Sequence, residues 1–413
     1  SPIDQFLMNH SDYLFSKNPE NAIIDPDNPH LALGHLRCAL RELPLRPGEE
    51  HLFGGFTQAM LQLLSESGRA RSGQGKWFTQ EEGFPAAEIN LRNADAVIYT
   101  IMEATEGGSR VIGTIDESSA HSQVHDHAVY LHGGETYFTQ KLDLQKKIAY
   151  VERKDLDYYT QAVSESLIRI DSTEETQDWR KSTLSRGDVT VTTLVTMFKK
   201  IKFHSRDSLG YENLALPPQT LETAALWLVP GVPILGRAAQ YGLTPMEGLV
   251  GIANLMLEVI PLFVMGDVQD VGGVVEASNL GQPTIFIYDK YVGGVGYAEK
   301  AYELLEKIMQ ACLQIAKECR CQTGCPSCVG SAHPAPVQRM GDGESRDRIP
   351  SKEAALVILH ELLEIPGYVP RLLLAEAVSA APALEAGAIP AVTQQKLPPN
   401  MEQRLRKRLK SHR

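Results

Sequence analysis

Four cysteines cluster within a short stretch of this chain, which contains six cysteines in all. The stretch reads CRCQTGCPSC, and its cysteines are Cys319, Cys321, Cys325 and Cys328. Thiolates at this spacing can surround one tetrahedral Zn²⁺ and leave no coordination position for water or substrate. The pattern therefore predicts one structural zinc ion per chain, with the negative charge of the thiolates eased by Lys317 and Arg320.

Two other chemistries use clustered cysteines and stay open at this point. An iron–sulfur cluster also takes four cysteines, although its usual spacings differ from this one. A redox pair at Cys325 and Cys328 would need a helix to begin at its first cysteine, and the residues VGSAHPAP that follow do not favour a helix. The remaining cysteines, Cys38 and Cys312, lie in apolar helical patterns that favour core positions.

A glycine-rich segment, YVGGVGYAEK, follows an apolar strand and precedes a helix, an arrangement that can offer backbone N–H groups to an anion. Gly293, Gly294 and Gly296 are therefore candidates for a phosphate contact, with a purely structural turn as the alternative. Carboxylates flank nearby strands, as the metal ligands of nucleases often do, at Asp267, Asp270, Glu276 and Asp289. A metal-dependent nuclease is accordingly a less favoured hypothesis.

The segment VIGTIDESSAH places Asp116 and Glu117 after an apolar strand, as in the metal sites of NTPases. The sequence has no G-x-x-x-x-G-K-[ST] motif to hold nucleotide phosphates, so we predict a strand-end turn here and no ATP hydrolysis by this chain alone. Histidines crowd just beyond it, at His121, His125, His127 and His132. Because side chains alternate between faces along a strand, surface or core positions are favoured over a second metal site.

Basic residues with interleaved aromatic residues form two candidate nucleic-acid surfaces. One is the ribbon at Lys76 and Trp77. The other combines WRKSTLSR with MFKKIK and contains Arg180, Lys181, Arg186, Lys199, Lys200 and Lys202. Lysine and arginine would contact phosphates and the aromatic rings would stack on bases. A solvated charged face is the alternative for each.

The composition is that of a globular protein with several cores. The chain has 413 residues, of which 43% are apolar and 22% charged, and a net charge of −11. No apolar run reaches the roughly 18 residues that a membrane span needs, and the N-terminus lacks a signal-peptide pattern. We therefore expect a cytoplasmic protein without a membrane partner, in which clustered cysteines bind metal.

The periodicity of apolar residues predicts an α+β, multidomain fold. Two helical patterns and a ribbon that turns at Ser72–Gly75 predict a winged helix over residues 1–86. Short alternating segments predict a small β-rich, barrel-like domain over 87–186. An α/β zinc-binding domain is predicted over 187–365, with helices at PQTLETAALWLV and AEKAYELLEKIMQACLQIAKEC, and a flexible basic-ended tail over 366–413.

The order of several segments resembles the C-terminal region of the mitomycin-repair helicases, a family of superfamily-2 DEAD/DEAH-type DNA helicases. The resemblance runs from about residue 4 to 364 and is carried by DQFLMNHSDYLFSKNPENAIIDPDNPHLALGHLRCALRELPL, VERKDLDYYTQA, FKKIKFHSRDSLG, TLETAALWL, PTIFIYDKYVGGVGYAEKAYE and CRCQTGCPSCVGS. Family members often read V-H-P-G-A where this chain has Val124–Ala128. In the family the four cysteines bind zinc.

The resemblance implies the C-terminal accessory part of an ATP-dependent DNA helicase in DNA repair. It implies DNA, single-stranded or forked, as a partner, together with ATP-binding motor domains that this chain does not contain. Those motors would lie on the same native chain or on a separate one. The alternative is a free-standing zinc-binding partner subunit of a separate helicase in phage defence.

Overall fold

The computed structural model describes residues 2–16, 28–87, 89, 97–105, 108–205, 207–330, 349–366 and 368–370. Three segments lie outside the described residues: the strand predicted at AEINLR, apart from Ala87 and Ile89, the polar stretch 331–348 and the tail after residue 370. Mixed α and β structure confirms the predicted fold class.

A winged helix forms near the N-terminus. Its elements are α3 (Pro29–Glu42), α4 (Thr57–Glu66), β1 (Ala70–Gly73) and β2 (Lys76–Thr79). Leu36 and Leu61 are fully buried between the two helices, and the β1–β2 ribbon is the predicted wing. The preceding helices, α1 (Pro2–Asn9) and α2 (Ser11–Ser16), pack elsewhere: Phe6 lies in a separate core that includes Leu249 and Leu255. The core of the winged helix therefore begins with α3, whereas the domain was predicted to begin at residue 1.

A five-stranded sheet follows, with one short helix packed on it. Its elements are β3 (Ile98–Thr105), β4 (Gly108–Asp116), α5 (Glu117–Gln123), β5 (Val129–His132), β6 (Glu135–Asp143) and β7 (Ile148–Arg153). The strand order is β4-β3-β7-β6-β5, and only β3 and β7 run parallel. Tyr99, Ile101 and Val151 are fully buried beneath α5.

A seven-stranded antiparallel sheet forms a half-barrel in the second part of the chain. Its strands are β8 (Tyr158–Ile170), β9 (Glu175–Trp179), β10 (Ser182–Lys202), β11 (Ser208–Asn213), β12 (Gln219–Pro230), β13 (Val271–Glu276) and β14 (Thr284–Asp289). The long strand β10 pairs with β12 and β11 along one edge and with β9 and β8 along the other. The domain boundary predicted after residue 186 falls inside β10, whose pairing with β12 is unbroken there. The change of sheet comes after Arg153 instead.

The segment PQTLETAALWLV was predicted to be a helix, and this prediction is wrong: it forms β12. The strand lies between β10 and β14 and is buried on both faces. Leu226 and Leu228 face the helical layer, while Ala225 and Trp227 face the inside of the half-barrel. A central strand covered on both sides reads as a continuous apolar run, and tertiary packing overrides the helix propensity of leucine and alanine.

Helices cover the outer face of the half-barrel. They are α6 (Val232–Gln240), α7 (Pro245–Val259), α8 (Tyr297–Glu303), α9 (Leu305–Glu318) and α10 (Lys352–Leu362). The single helix predicted over residues 298–319 is divided at Leu304 into α8 and α9. The sequence analysis expected no apolar run long enough to span a membrane, but Pro245–Leu262 has the length and composition for it. This segment includes α7, which packs in the core against α10 and β13.

Candidate metal centre and nucleic-acid surface

The four clustered cysteines converge at the end of α9, as predicted. Their sulfur atoms all lie within 4.8 Å of one another, and the Sγ–Sγ distances from Cys319 to Cys325 and from Cys321 to Cys328 are 3.5 and 3.4 Å. A Zn²⁺ ion with Zn–S bonds of about 2.3 Å places its four sulfurs about 3.8 Å apart. The donor set therefore fits one tetrahedral zinc with no open position.

Tight turns and buried neighbours hold the cysteines in place. Gly324 has a φ of +139°, and a Cβ there would lie 2.5 Å from the carbonyl oxygen of Pro350. The N–H groups of Cys328 and Val329 both donate to the carbonyl of Cys325 at 3.1 Å. Val329 is fully buried, and its carbonyl accepts from the amide of Asn254 on α7 at 3.0 Å. The cysteine loop, residues 319–330, thus contacts α7 through Val329 and the segment before α10 through Gly324.

A lysine that the sequence reasoning missed lies beside the cysteines. Lys352, at the start of α10, is 1% exposed, and its Nζ donates to the carbonyls of Cys319 and Cys321 at 2.7 and 3.0 Å. The predicted charge partners, Lys317 and Arg320, are exposed instead. Lys352 is distant from the cysteines in sequence, so no local pattern could have identified it.

The glycine loop between β14 and α8 already contains an anion from this chain. The carboxylate of Asp289 is fully buried and accepts from the backbone N–H groups of Val295 (2.7 Å), Gly296 (3.0 Å), Tyr297 (3.1 Å) and Ala298 (2.7 Å). Burial raises the pKa of Asp289, and these N–H donors, which favour the ionised form, oppose the rise. The backbone N–H groups that were predicted to bind a phosphate therefore donate to Asp289 instead. This favours the alternative prediction, that the glycine loop is a structural turn.

The same loop also contacts the winged helix. Asn28 caps α3 by accepting from the N–H of His30 at 2.9 Å, and its amide donates to the carbonyls of Val292, at 3.2 Å, and Gly294. Asn28 is 2% exposed. Gly293 and Gly294 both have a φ of +75°, which side-chain-bearing residues rarely adopt. The loop joins the half-barrel to the winged helix.

Several residues of the predicted basic surface are paired with carboxylates. Arg180 bonds Glu306 at 2.7 Å, and Arg186 contacts Glu174, Glu175 and Glu299. Lys181 is exposed on the turn between β9 and β10. Both arginines therefore fasten β10 and its turn to α8 and α9, which reduces their capacity to hold phosphates.

The three lysines of β10 do not share one face of the strand. Lys199 lies over the ring of Tyr211, with its Nζ 5.6 Å from the ring centroid. Lys200 points the other way, towards Phe198, and forms an ion pair with Glu212. Lys202 shares the face of Lys200 by strand alternation. The structure therefore divides a cluster that the sequence placed together.

The wing presents a more open basic surface. Lys76 is exposed where β2 begins, and Arg71 lies over the ring of Phe78 at 5.3 Å. Trp77 is half-buried because its backbone pairs with Leu45 and its side chain packs on the winged-helix core. Lys76 and Arg71 can thus reach a phosphate backbone, while Trp77 has a structural role as well. Arg71 was not among the predicted contacts.

The remaining catalytic-looking stretches have structural explanations. Asp116 caps α5 by accepting from the N–H of Ser119 at 2.8 Å, and Glu117 pairs with Lys147 at 2.5 Å. Among the described residues, the four cysteines are the one group of three or more histidine, cysteine or carboxylate side chains close enough to share a metal ion. The four histidines and the strand-flanking carboxylates therefore do not form a second centre there.

Two of those histidines are buried and give the fold a pH dependence. His121 and His125 are 2% and 0% exposed, and burial lowers the pKa of both. Within the described part of the chain, neither ring nitrogen of His121 has a hydrogen-bond partner, nor does Nε2 of His125. Burial thus favours the neutral form of both rings in the folded protein, whereas the unfolded chain binds protons at these histidines near their ordinary pKa of 6.5.

We expect stability to be constant above about pH 6.5 and to fall below it by about 1.4 kcal/mol per pH unit for each histidine that protonates only on unfolding. Urea unfolding at pH 7.5, 6.5 and 5.5 measures this. The double substitution His121→Gln, His125→Gln should flatten the dependence, whereas His127→Gln, at an exposed residue, should not. An equal pH dependence in all three proteins would disprove the assignment.

Comparison with known proteins gives two domain matches. Residues 252–329 match the MrfA Zn-binding domain, and residues 24–94 match the winged helix domain of ATP-dependent helicase HRQ1. The first match contains all four cysteines. The second contains α3, α4 and the wing, and confirms the predicted winged helix.

Whole-chain comparisons extend the similarity. The chain is 37% identical to the uncharacterized ATP-dependent helicase YprA of Bacillus subtilis (strain 168) over 80% of its own length and 44% of YprA. It is 23% identical to ATP-dependent helicase HRQ1 of Saccharomyces cerevisiae over 88% of its length and 34% of that protein. It therefore spans less than half the length of these relatives.

Solved structures show the same fold. The DUF1998 helicase MrfA bound to DNA matches with a TM-score of 0.51 and 33% identity, over 88% of this chain and 46% of that one. A second MrfA crystal structure matches with a TM-score of 0.56 and 32% identity, over 80% and 46%. The chain is thus homologous to the YprA, HRQ1 and MrfA helicases, and it contains matches to the winged helix domain of HRQ1 and to the Zn-binding domain of MrfA.

Proposed function

We propose that this chain is the accessory part of an ATP-dependent DNA helicase that acts in DNA repair. In this proposal it binds single-stranded or forked DNA while motor domains, in cis or in trans, move the strand. The observation that carries the proposal is a winged helix with an exposed basic wing in one compact unit with a four-cysteine centre. Similarity to helicases over most of the chain, one of them bound to DNA, supports it.

One structural zinc ion per chain belongs to the proposal. Cys319, Cys321, Cys325 and Cys328 would hold it, and the closed donor set leaves no position for substrate. When bound, the ion supplies a rigid crosslink between the end of α9 and the following loop. The residues around it, Val329 and Lys352, attach that crosslink to α7 and α10.

DNA binding should be independent of sequence and weakened by salt, because the visible contacts are basic side chains directed at phosphates. The double substitution Arg71→Gln, Lys76→Gln should lower the slope of log affinity against log salt by about 1.4 for single-stranded DNA, that is, about 0.7 for each lost phosphate contact. Fluorescence anisotropy with a labelled single strand and a labelled fork, from low to moderate salt, measures the slope.

Lys200→Gln is the matched control for the wing variant. Lys200 is paired with Glu212, so its replacement should leave the salt slope unchanged. Circular dichroism checks that each variant is folded. If the Lys200 variant loses the slope and the wing variant keeps it, the DNA path follows β10 rather than the wing; if neither changes it, the proposed accessory DNA-binding role is wrong.

A further inference from the structure

Lys352 is a buried lysine in an unusual position. It is the first residue of α10, after the N-cap Ser351. The N-terminus of a helix carries a partial positive charge, so a lysine there is unfavourable in the absence of a nearby anion. Burial adds to the cost, because an ammonium group removed from water needs a counter-charge. The position therefore calls for an anion close to its side chain.

Carboxylates do not supply that anion in the described part of the chain. In that part of the chain, the ammonium group of Lys352 donates to two neutral carbonyls, those of Cys319 and Cys321. The neighbouring carboxylate, Glu353, instead accepts from the hydroxyl of Tyr368 at 2.7 Å. Neutral carbonyls orient an ammonium group but do not neutralise it.

The four cysteines can supply the missing charge. Four thiolates around a divalent ion carry a net negative charge, and two of those cysteines provide the carbonyls that hold Lys352. We propose that Lys352 is the counter-ion of the metal–thiolate centre and thereby couples metal retention to the seating of α10. This inference rests on the proposed zinc ion. It also assigns to Lys352 the role that the sequence suggested for Lys317 and Arg320.

The contacts also make α10 sensitive to the metal. The backbone N–H of Lys352 donates to the carbonyl of Thr323, within the cysteine loop, at 2.9 Å. Loss of the metal would release the cysteine loop, which provides the carbonyls that hold both the ammonium group and the backbone N–H of Lys352. The first turn of α10 would then be destabilised at the point where it enters the core formed with α7 and α9.

The test compares Lys352→Met with Lys317→Met. Both remove one lysine charge and keep an unbranched side chain, but Lys317 is exposed on α9. Competition with a chromophoric chelator measures the zinc dissociation constant of each protein. We expect Lys352→Met to weaken zinc binding by about 10- to 100-fold, the range for residues that support metal ligands, and Lys317→Met and Lys352→Arg to bind as the wild type does. Equal dissociation constants for the Lys352→Met and wild-type proteins would overturn the proposal.

A second measurement separates the charge of Lys352 from its packing. In zinc-stripped protein, Lys352→Met should leave the thermal unfolding midpoint unchanged or raise it, because it removes a buried uncompensated charge. In the zinc-loaded protein it should lower the midpoint. A packing role predicts a lower midpoint in both states, and that result contradicts the counter-ion role.

Failures of folding and of metal binding are also informative. If Lys352→Met does not fold with excess zinc while Lys352→Arg folds and binds zinc, the charge is required, as proposed. If both variants fail, the role is steric and the proposal is wrong. If the wild-type protein holds no zinc by elemental analysis, the proposed zinc site itself fails, which is distinct from a zinc-loaded wild type whose affinity does not depend on Lys352.

Discussion

Replacing Cys325 with serine is expected to release the zinc ion and to loosen the C-terminal helical layer. Metal ligation can contribute on the order of 10 kcal/mol in small zinc modules, far more than the few apolar contacts of the cysteine loop. The loop is held by Val329, by the close approach of Gly324 to Pro350 and by Lys352, and all three contacts depend on the turns between the cysteines. Elemental analysis should find one zinc per wild-type chain and none in the variant.

Hydrogen exchange should show where the structure loosens in the Cys325→Ser protein. Amides of α9 and α10 are expected to exchange faster, while those of α3 and α4 keep their protection, because the winged helix has its own core. Cys312→Ser is the control, since Cys312 is a fully buried core residue of α9 outside the four-cysteine group. It should keep the zinc. Loss of zinc from the Cys312 variant with retention in a Cys319→Ser variant would show that the ligands are misassigned.

Replacing Asp289 with alanine is expected to destabilise the protein by about 3–5 kcal/mol, because buried N–H groups that lose their acceptor cost about 1–3 kcal/mol each. Four backbone N–H groups at the start of α8 donate to this carboxylate, and the substitution leaves them buried without an acceptor. The glycine loop would lose its conformation and with it the contact to Asn28. Urea unfolding measures the loss in free energy.

Two variants make the Asp289 result specific. Asp289→Asn keeps one side-chain acceptor and should cost less than the alanine variant. Asp178→Asn, at an exposed position on β9, should change the unfolding free energy by no more than about 0.5 kcal/mol. An Asp289→Ala protein as stable as the wild type would mean that the loop is held by something other than this carboxylate, and the phosphate reading of the glycines would regain support.

The sequence alone determined the features that depend on local spacing. The cysteine spacing predicted that the four sulfurs come together, because short turns can do this without help from distant residues. The apolar periodicity of α3 and α4 and the turn at Ser72–Gly75 identified the winged helix for the same reason. The strand β14 was also evident, because Ile285–Tyr288 form a short apolar run. In the structure all six residues of the strand are buried.

Only the tertiary structure decided the features that depend on distant partners. β12 resembles a helix in sequence and is a strand because β10 and β14 cover its edges and both its faces are buried. Lys199 and Lys200 are neighbours in sequence, but their side chains lie on opposite faces of β10. Lys200 forms an ion pair with Glu212. Asp289 occupies the glycine loop, and Lys352 reaches the cysteines from another helix. These ion pairs and hydrogen bonds join residues that are remote in sequence, and local sequence patterns do not encode which distant groups come close together.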